Sequence, residues 1–219
     1  MAKINNITLS NKNLVYPPPT STANPLLSEE LAQQWLIESD PLKLLANETN
    51  SDKFRLRQRY ALLTFWFNTG SFTWTNLSGW LVQKDECKWF GITCNATKPG
   101  VGAGLQNSVP VINLTANNIH GTISPDLGLL TTLVSVDFNN NYLTGSLPTS
   151  ISNWTALQSF FISYSGKGGL TGTLPSPIGQ WTDLQSFAIN YNSLTGTLLH
   201  PRFWVSGQLC NPLRSPKIY

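Results

Sequence analysis

Leu133-Val134-Ser135-Val136-Asp137-Phe138-Asn139-Asn140-Asn141-Tyr142-Leu143-Thr144-Gly145-Ser146-Leu147-Pro148 is the stretch that decides the fold. Its pattern is Leu133, Val136, Phe138, Asn141, Leu143, Gly145, Leu147 and Pro148. The order recurs as Leu157, Phe160, Ile162, Leu170, Gly172, Leu174 and Pro175, and again as Leu184, Phe187, Ile189, Asn192, Leu194, Gly196 and Leu198. One copy precedes them, carried by Val109, Ile112, Leu114, Asn117, Ile119, Gly121 and Ile123. Copies start at 109, 133, 157 and 184, at spacings of 24, 24 and 27, the last holding a three-residue insertion around Gly166-Lys167-Gly168-Gly169. Self-similarity at such a period marks a stacked repeat architecture. The repeats divide as 109–132, 133–156, 157–183 and 184–199.

Each position has a physical task. The apolar residues of the opening segment point inward from a short strand, because alternation places them on one face. No copy can bury that face alone, so neighbours in a parallel stack must cover it. Asn117, Asn141 and Asn192 turn inward at the strand ends, where an amide satisfies backbone groups that would otherwise be buried unpaired. Gly121, Gly145, Gly172 and Gly196 permit a turn that a Cβ would hinder. Four chance hairpins of an all-β protein are the alternative. Eight matched positions in register across consecutive copies argue against it.

Leu143-Thr144-Gly145-Ser146-Leu147-Pro148 and Leu170-Thr171-Gly172-Thr173-Leu174-Pro175 resemble the plant-specific leucine-rich repeat, with its L-x-G-x-[IL]-P signature. Upstream, Ala61-Leu62-Leu63-Thr64-Phe65, Gly79-Trp80-Leu81 and Cys87-Lys88-Trp89-Phe90-Gly91-Ile92-Thr93-Cys94 resemble the plant-type N-terminal cap of such repeats. Gln34-Trp35-Leu36 followed by Arg59-Tyr60-Ala61-Leu62 is similar to the version in algal, diatom-like members. The resemblance covers roughly residues 30–199. It implies an α/β solenoid: a right-handed leucine-rich-repeat superhelix with a parallel β-sheet on its concave face and an α-helical, disulfide-type N-terminal cap. In that family the two cap cysteines pair and the Trp packs onto the first coil. A receptor-like ectodomain binding a peptide, protein or glycan on the concave sheet is the implied role. The chain departs from the family in having four copies rather than many, and in showing neither a kinase segment nor a membrane anchor.

Working outward, residues 28–108 read as the helical cap. Ser28 is placed to cap a first helix with Glu29 and Glu30 in its first turn and Leu31 and Trp35 on its buried side. A second helix is expected from Ser51-Asp52 to Asn68-Thr69-Gly70, with Phe54, Tyr60, Leu63, Trp66 and Phe67 on a broad apolar face. Both helices should cover the open first coil, and Trp35, Trp66, Trp80 and Trp89 are expected to pack in core or cap. Residues 1–27, rich in Asn, Pro and Thr with Pro17-Pro18-Pro19, read as a disordered linker. After Leu199 the pattern stops. Residues 200–219, broken by Pro201, Pro212 and Pro216, read as an irregular tail, a truncated or mis-predicted end of the frame.

Composition sets limits on function. The apolar share of 41% is ordinary, whereas the charged share of 11% is far below the usual ~25%. A net charge of +3 with no basic stripe gives no ground for nucleic-acid binding. No run approaches the roughly 18–20 apolar residues of a membrane span. Met1-Ala2-Lys3-Ile4-Asn5-Asn6 lacks the features of a signal peptide. Of the three cysteines, Cys87 and Cys94 have six residues between them, a gap unsuited to a Cys-x-x-Cys redox or zinc pair, while Cys210 stands alone. Neither His120 nor His200 adds metal-ligand spacing, and no cofactor or metal is expected. A disulfide between Cys87 and Cys94 is the better reading, the resemblance implies the same pairing, and it points to an oxidising compartment. Six Asn-x-Ser/Thr sequons occur, against about four expected by chance. Those at Asn47, Asn76, Asn95 and Asn153 are candidate glycosylation sites. A glycan at Asn113 would obstruct the sheet, and Asn6 carries the sixth.

Candidate ligand-binding residues fall in three columns of the concave face. The first is Asn113, Asp137, Phe161 and Ala188. The second is Thr115, Asn139, Ser163 and Asn190, and the third is Ala116, Asn140, Tyr164 and Tyr191. Amides and stiff aromatics on a rigid sheet suit recognition, so Asn113, Asp137, Asn139, Phe161, Tyr164, Asn190 and Tyr191 are the expected contacts. No catalytic Ser, Cys or His constellation and no paired carboxylates are recognisable. The expectation is a non-enzymatic ligand-binding or protein–protein interaction module of a leucine-rich-repeat receptor-like protein, extracellular or membrane-associated. An intracellular scaffold for protein assembly stays open because no signal peptide is visible. So does a gene fragment without independent function, given the tail.

Overall fold

A computed structural model describes residues 25–42, 50–95, 108–163, 165 and 169–196. Two helices, α1 (Pro25–Glu38) and α2 (Asn50–Asn68), precede a series of short strands. These are β1 (Ile92–Thr93), β2 (Val111–Asn113), β3 (His120–Thr122), β4 (Ser135–Asp137), β5 (Tyr142–Thr144), β6 (Ser159–Phe161), β7 (Thr171–Thr173), β8 (Ser186–Ala188) and β9 (Ser193–Thr195). The main sheet has the order β1-β2-β4-β6-β8, parallel from β2 onward. Ile112, Val136, Phe160 and Phe187 pair across it in one row, and each is buried. Coils that cannot close their own core have stacked in parallel, as the repeat requires.

Each coil then passes through a second short strand, and among the described residues the first three continue into a 3-10 turn. Among the described residues, β3 pairs with β5 and β7 with β9, both in parallel, and Gly145 bridges Leu170 between the two pairs. The 3-10 turns at Pro125–Leu129, Thr149–Asn153 and Ser176–Gln180 stack behind. Two of them end on a Trp whose indole N–H donates to the preceding coil: Trp154 to the Leu127 carbonyl at 3.2 Å and Trp181 to the Ile151 carbonyl at 3.1 Å. A buried indole needs such a partner. These bonds fix the outer turns at the coil spacing.

One continuous apolar core joins the N-terminal helices to the last described coil, from Ala32 to Leu194. Phe65 on α2 stacks on Phe138 at 5.2 Å between ring centroids, so the helix reaches the second repeat. Trp66, Trp80 and Trp89 stack in series, 5.0 and 4.9 Å apart, with Trp35 edge-on to Trp89 at 6.4 Å. All four are buried. Close approach of backbone explains Gly121, whose φ is +106°, since a Cβ there would overlap the Asn68 carbonyl oxygen at the end of α2.

The first helix corrects the sequence reading. It begins at Pro25, not at Ser28, so residues 25–27 are helical rather than linker. A proline is at home in a first turn, where its missing N–H has no acceptor to serve. Ser28 lies inside the helix, buried, with its hydroxyl directed at Asn68 Oδ1 at 3.4 Å. Residues 1–24 and the tail 197–219, with His200 and Cys210, lie outside the described residues. The second helix starts at Asn50 and ends at Asn68.

Charge is buried ahead of the repeats, and no sequence pattern announces it. Arg59 is fully buried, with Nη2 donating to Asp40 at 2.9 Å and Nη1 to Glu86 at 2.7 Å. Its guanidinium lies 5.3 Å from the Trp35 ring and 5.0 Å from that of Trp89. Arg55 adds two bonds to Glu86 at 2.9 Å and one to Asp85 at 2.7 Å. Gln58 donates to Glu86 and accepts from the Val109 N–H, each at 2.9 Å, which ties the network to the first repeat. Burial would raise the Glu86 carboxyl, but the Arg55 hydrogen bond and the charges of Arg59 and Arg55 outweigh it and hold the group below its ordinary value. Cys87 and Cys94 close a disulfide beside this network, with Cα atoms 5.4 Å apart.

Candidate ligand-binding face

Register brings Asn113, Asp137, Phe161 and Ala188 into one row across β2, β4, β6 and β8. Their chain neighbours Ile112, Val136, Phe160 and Phe187 are buried, so alternation sends this row out of the other face. Asn113 is exposed, while Asp137 and Phe161 are half-buried. The side chains of Asn113 and Asp137 also hold the backbone beyond them, accepting from the N–H groups of Thr115 (3.2 Å) and Asn139 (2.9 Å).

A neighbouring row, Val111, Ser135, Ser159 and Ser186, shares the face and is half-buried. Sequence reasoning missed it by taking only positions after the inward residues. The signal was present: serine recurs at one repeat position in three copies.

The second expected column serves a different end. Asn139 Oδ1 accepts from the Ser163 N–H at 2.7 Å, and Asn190 Oδ1 takes the Ser163 hydroxyl. Ser163 itself is buried. The cause lies one residue further on, where the backbone turns left-handed at Ala116 (φ 53°), Asn140 (φ 57°) and Tyr191 (φ 58°). Amides beside such a bend need acceptors from the adjoining coil. The oxygens of Asn139 and Asn190 are thus engaged between coils rather than offered to a ligand. Of the third column, Tyr191 is 59% exposed, and Tyr164 lies outside the described residues together with Gly166-Lys167-Gly168 of the inserted loop.

Beneath the bend runs the row of inward asparagines. Asn141 Oδ1 accepts from the N–H groups of Asn117 (3.0 Å) and Ile119 (3.1 Å), and its Nδ2 donates to the Leu114 and Phe138 carbonyls, both at 2.9 Å. Asn117 makes the equivalent bonds to the segment before the repeats through the N–H and carbonyl of Asn76. In the third copy Ser165 stands in the ladder position, buried, with no hydrogen-bond partner for its hydroxyl among the described residues. Asn192 nonetheless reaches across, accepting from Leu170 N–H at 3.0 Å and donating to the Ile162 and Ile189 carbonyls. The face is rigid because its edge is bonded coil to coil.

Of the sequons, Asn95 and Asn153 are exposed and Asn76 is half-buried. Asn47 and Asn6 lie outside the described residues. Among the described residues no cluster of His, Cys, Asp or Glu has metal-binding geometry, and no helix is long and apolar enough to cross a membrane.

No family model matches the chain. It is 29% identical over 100 residues to Protein MALE DISCOVERER 1 of Arabidopsis thaliana, which is 45% of this chain and 13% of that protein. Over 67 residues it is 31% identical to the LRR receptor-like serine/threonine-protein kinase GSO2 of the same plant, 31% of this chain and 5% of that one. The chain thus spans a small part of these relatives' lengths. Among solved structures, the LRR ectodomain of the receptor kinase SOBIR1 from Arabidopsis thaliana superposes with a TM-score of 0.51 at 21% identity, covering 63% of this chain and 68% of that one. The chain shares the leucine-rich-repeat fold of plant receptor-kinase ectodomains, and its relatives are proteins of that kind.

Proposed function

We propose that the chain is a non-enzymatic ligand-binding module of a leucine-rich-repeat receptor-like protein, recognising a peptide, protein or glycan on the concave side of its main sheet. The observation that carries this reading is the register of β2, β4, β6 and β8. It sets hydroxyl, amide, carboxylate and aromatic side chains side by side on one stiff surface. Preorganised surfaces of this kind bind without a large ordering cost. The likeness to LRR receptor kinases supports a receptor-like role. The Cys87–Cys94 disulfide supports an oxidising, extracellular setting over an intracellular scaffold. Within this reading the cap begins with the helix at Pro25 and runs to residue 108, and 109–199 form the four repeats. Asn95 and Asn153, both exposed, are the glycan acceptors of this reading, with Asn47 and Asn76 as further ones.

Panning the immobilised protein against a phage-displayed random peptide library and a glycan array tests the proposal. Ser159→Trp fills the centre of the face, and Gln180→Arg alters an exposed position on the 3-10 stack. Ligands lost with Ser159→Trp and kept with Gln180→Arg are expected. Ligands indifferent to Ser159→Trp contradict the proposal.

A further inference from the structure

Charge is unevenly divided along the chain. Among the described residues, 25–95 hold Lys53, Arg55, Arg57, Arg59, Lys84 and Lys88, whereas between 108 and 196 the sequence has one such cation, Lys167 of the inserted loop, which lies outside the described residues. Three carboxylates lie in that repeat segment: Asp126, Asp137 and Asp183. Asp126 sits in the outer 3-10 turn, and Asp183 follows the last of those turns. Asp137 alone belongs to the sheet, and it lies on its open face.

Its neighbour on the next strand is Phe161, paired in register. Adjacent strands are about 4.8 Å apart, so the carboxylate and the ring flank one small volume. Asn113 borders it on the other side of Asp137, and the hydroxyls of Ser135 and Ser159 lie in the next row of the same face. The large ring is followed across the sheet by Ala188, which leaves space beside it. One Asp137 oxygen accepts from Asn139 N–H, which fixes the carboxylate's orientation.

A carboxylate beside an aromatic face, with hydroxyl acceptors close by and no Lys or Arg in the strands of the sheet among the described residues, matches an ammonium or guanidinium. The charge pairs with the carboxylate, the ring quadrupole attracts the same cation, and the hydroxyls accept its remaining N–H groups. We infer that the open sheet recognises a basic peptide, seating a Lys or Arg side chain between Asp137 and Phe161. This inference rests on the proposed ligand-binding role of the face and adds the chemistry of its partner.

Peptides enriched from the phage-displayed random library are synthesised and their affinities measured for the wild type and for Asp137→Asn, Phe161→Leu and Ser159→Trp. Asp137→Asn keeps the oxygen that accepts from Asn139, and circular dichroism checks that each variant is folded. The expected result is enrichment of Lys or Arg and a loss of about tenfold with Asp137→Asn. With Phe161→Leu the loss is about threefold, and wild-type binding weakens as salt is raised. Peptides blocked by Ser159→Trp but without basic residues, or bound equally by Asp137→Asn, overturn this inference and leave the ligand-binding reading standing. If neither an enriched peptide nor an array glycan responds to Ser159→Trp, the reading falls and the inference with it, whereas a response from glycans alone overturns only the inference.

Discussion

Replacing Arg59 with methionine removes the one cation that sits between the carboxylates of Asp40 and Glu86 while leaving much of the side-chain volume in place. Both acids and the arginine are fully buried. Glu86 retains Arg55 and Gln58, but the Asp40 oxygen facing Arg59 loses its guanidinium partner. Breaking a buried pair on one side costs about 3–5 kcal/mol, because an uncompensated charge stays out of water. At roughly 2–4 °C per kcal/mol for a chain of this length, the thermal midpoint falls by about 10 °C. Adding Asp40→Leu to Arg59→Met recovers part of the loss by removing the orphaned charge. Arg59→Lys lies between, since it keeps the charge and loses the fork that serves two acids at once. Urea titration with linear extrapolation at neutral pH measures all three. A cost below ~1 kcal/mol for Arg59→Met, the range of exposed ion pairs, refutes the reasoning.

Four further outcomes follow from the same structure. Because the Glu86 carboxyl is held below its ordinary value of 4.5, the unfolded chain binds its proton first as pH falls. Its stabilisation is complete above that value and is lost as pH drops through the lower folded value, so Glu86→Gln flattens the acid limb of a stability–pH curve. Asn141→Ala strips partners from two buried N–H groups and two carbonyls, costing about 2–4 kcal/mol by chemical denaturation, while Asn192→Ala, half-buried at the last described coil, costs less. Gly121→Ala sets a Cβ against the Asn68 carbonyl at positive φ and destabilises by more than about 1 kcal/mol, with faster amide exchange at the end of α2 as the sign of displacement. Reduction of Cys87–Cys94 lowers stability by about 2–3 kcal/mol in denaturation with and without a reductant.

Periodicity made the repeats legible. Leu133, Val136 and Phe138 recur because every coil solves the same burial problem, so the pattern carries the fold with it. The second strand of each coil was less visible, because Tyr142-Leu143-Thr144 and Ser193-Leu194-Thr195 are three-residue segments without a longer alternation. The start of α1 escaped because Ser28 looks like a cap while Pro25 fits a first turn equally well. The ionic network had no sequence signal at all. Asp40, Arg59 and Glu86 are separated by 19 and 27 residues and meet only through tertiary packing. On the candidate face, the row of Asp137 and Phe161 followed from alternation alone. The bonding of the Asn139 and Asn190 side-chain oxygens between coils was not legible, because the left-handed bend that recruits them depends on contact with a neighbouring coil.

The central claim is that consecutive coils are bonded in parallel register, which is what creates the open face. Trans-hydrogen-bond couplings in a deuterated sample read this directly. Three should appear: from Leu114 nitrogen to the Asp137 carbonyl carbon, from Phe138 to Phe161, and from Ile162 to Ala188, the donors and acceptors of bonds at 2.9, 2.8 and 2.8 Å. Couplings connecting these strands in antiparallel order, or protected amides coupled only within their own repeat, would contradict the account.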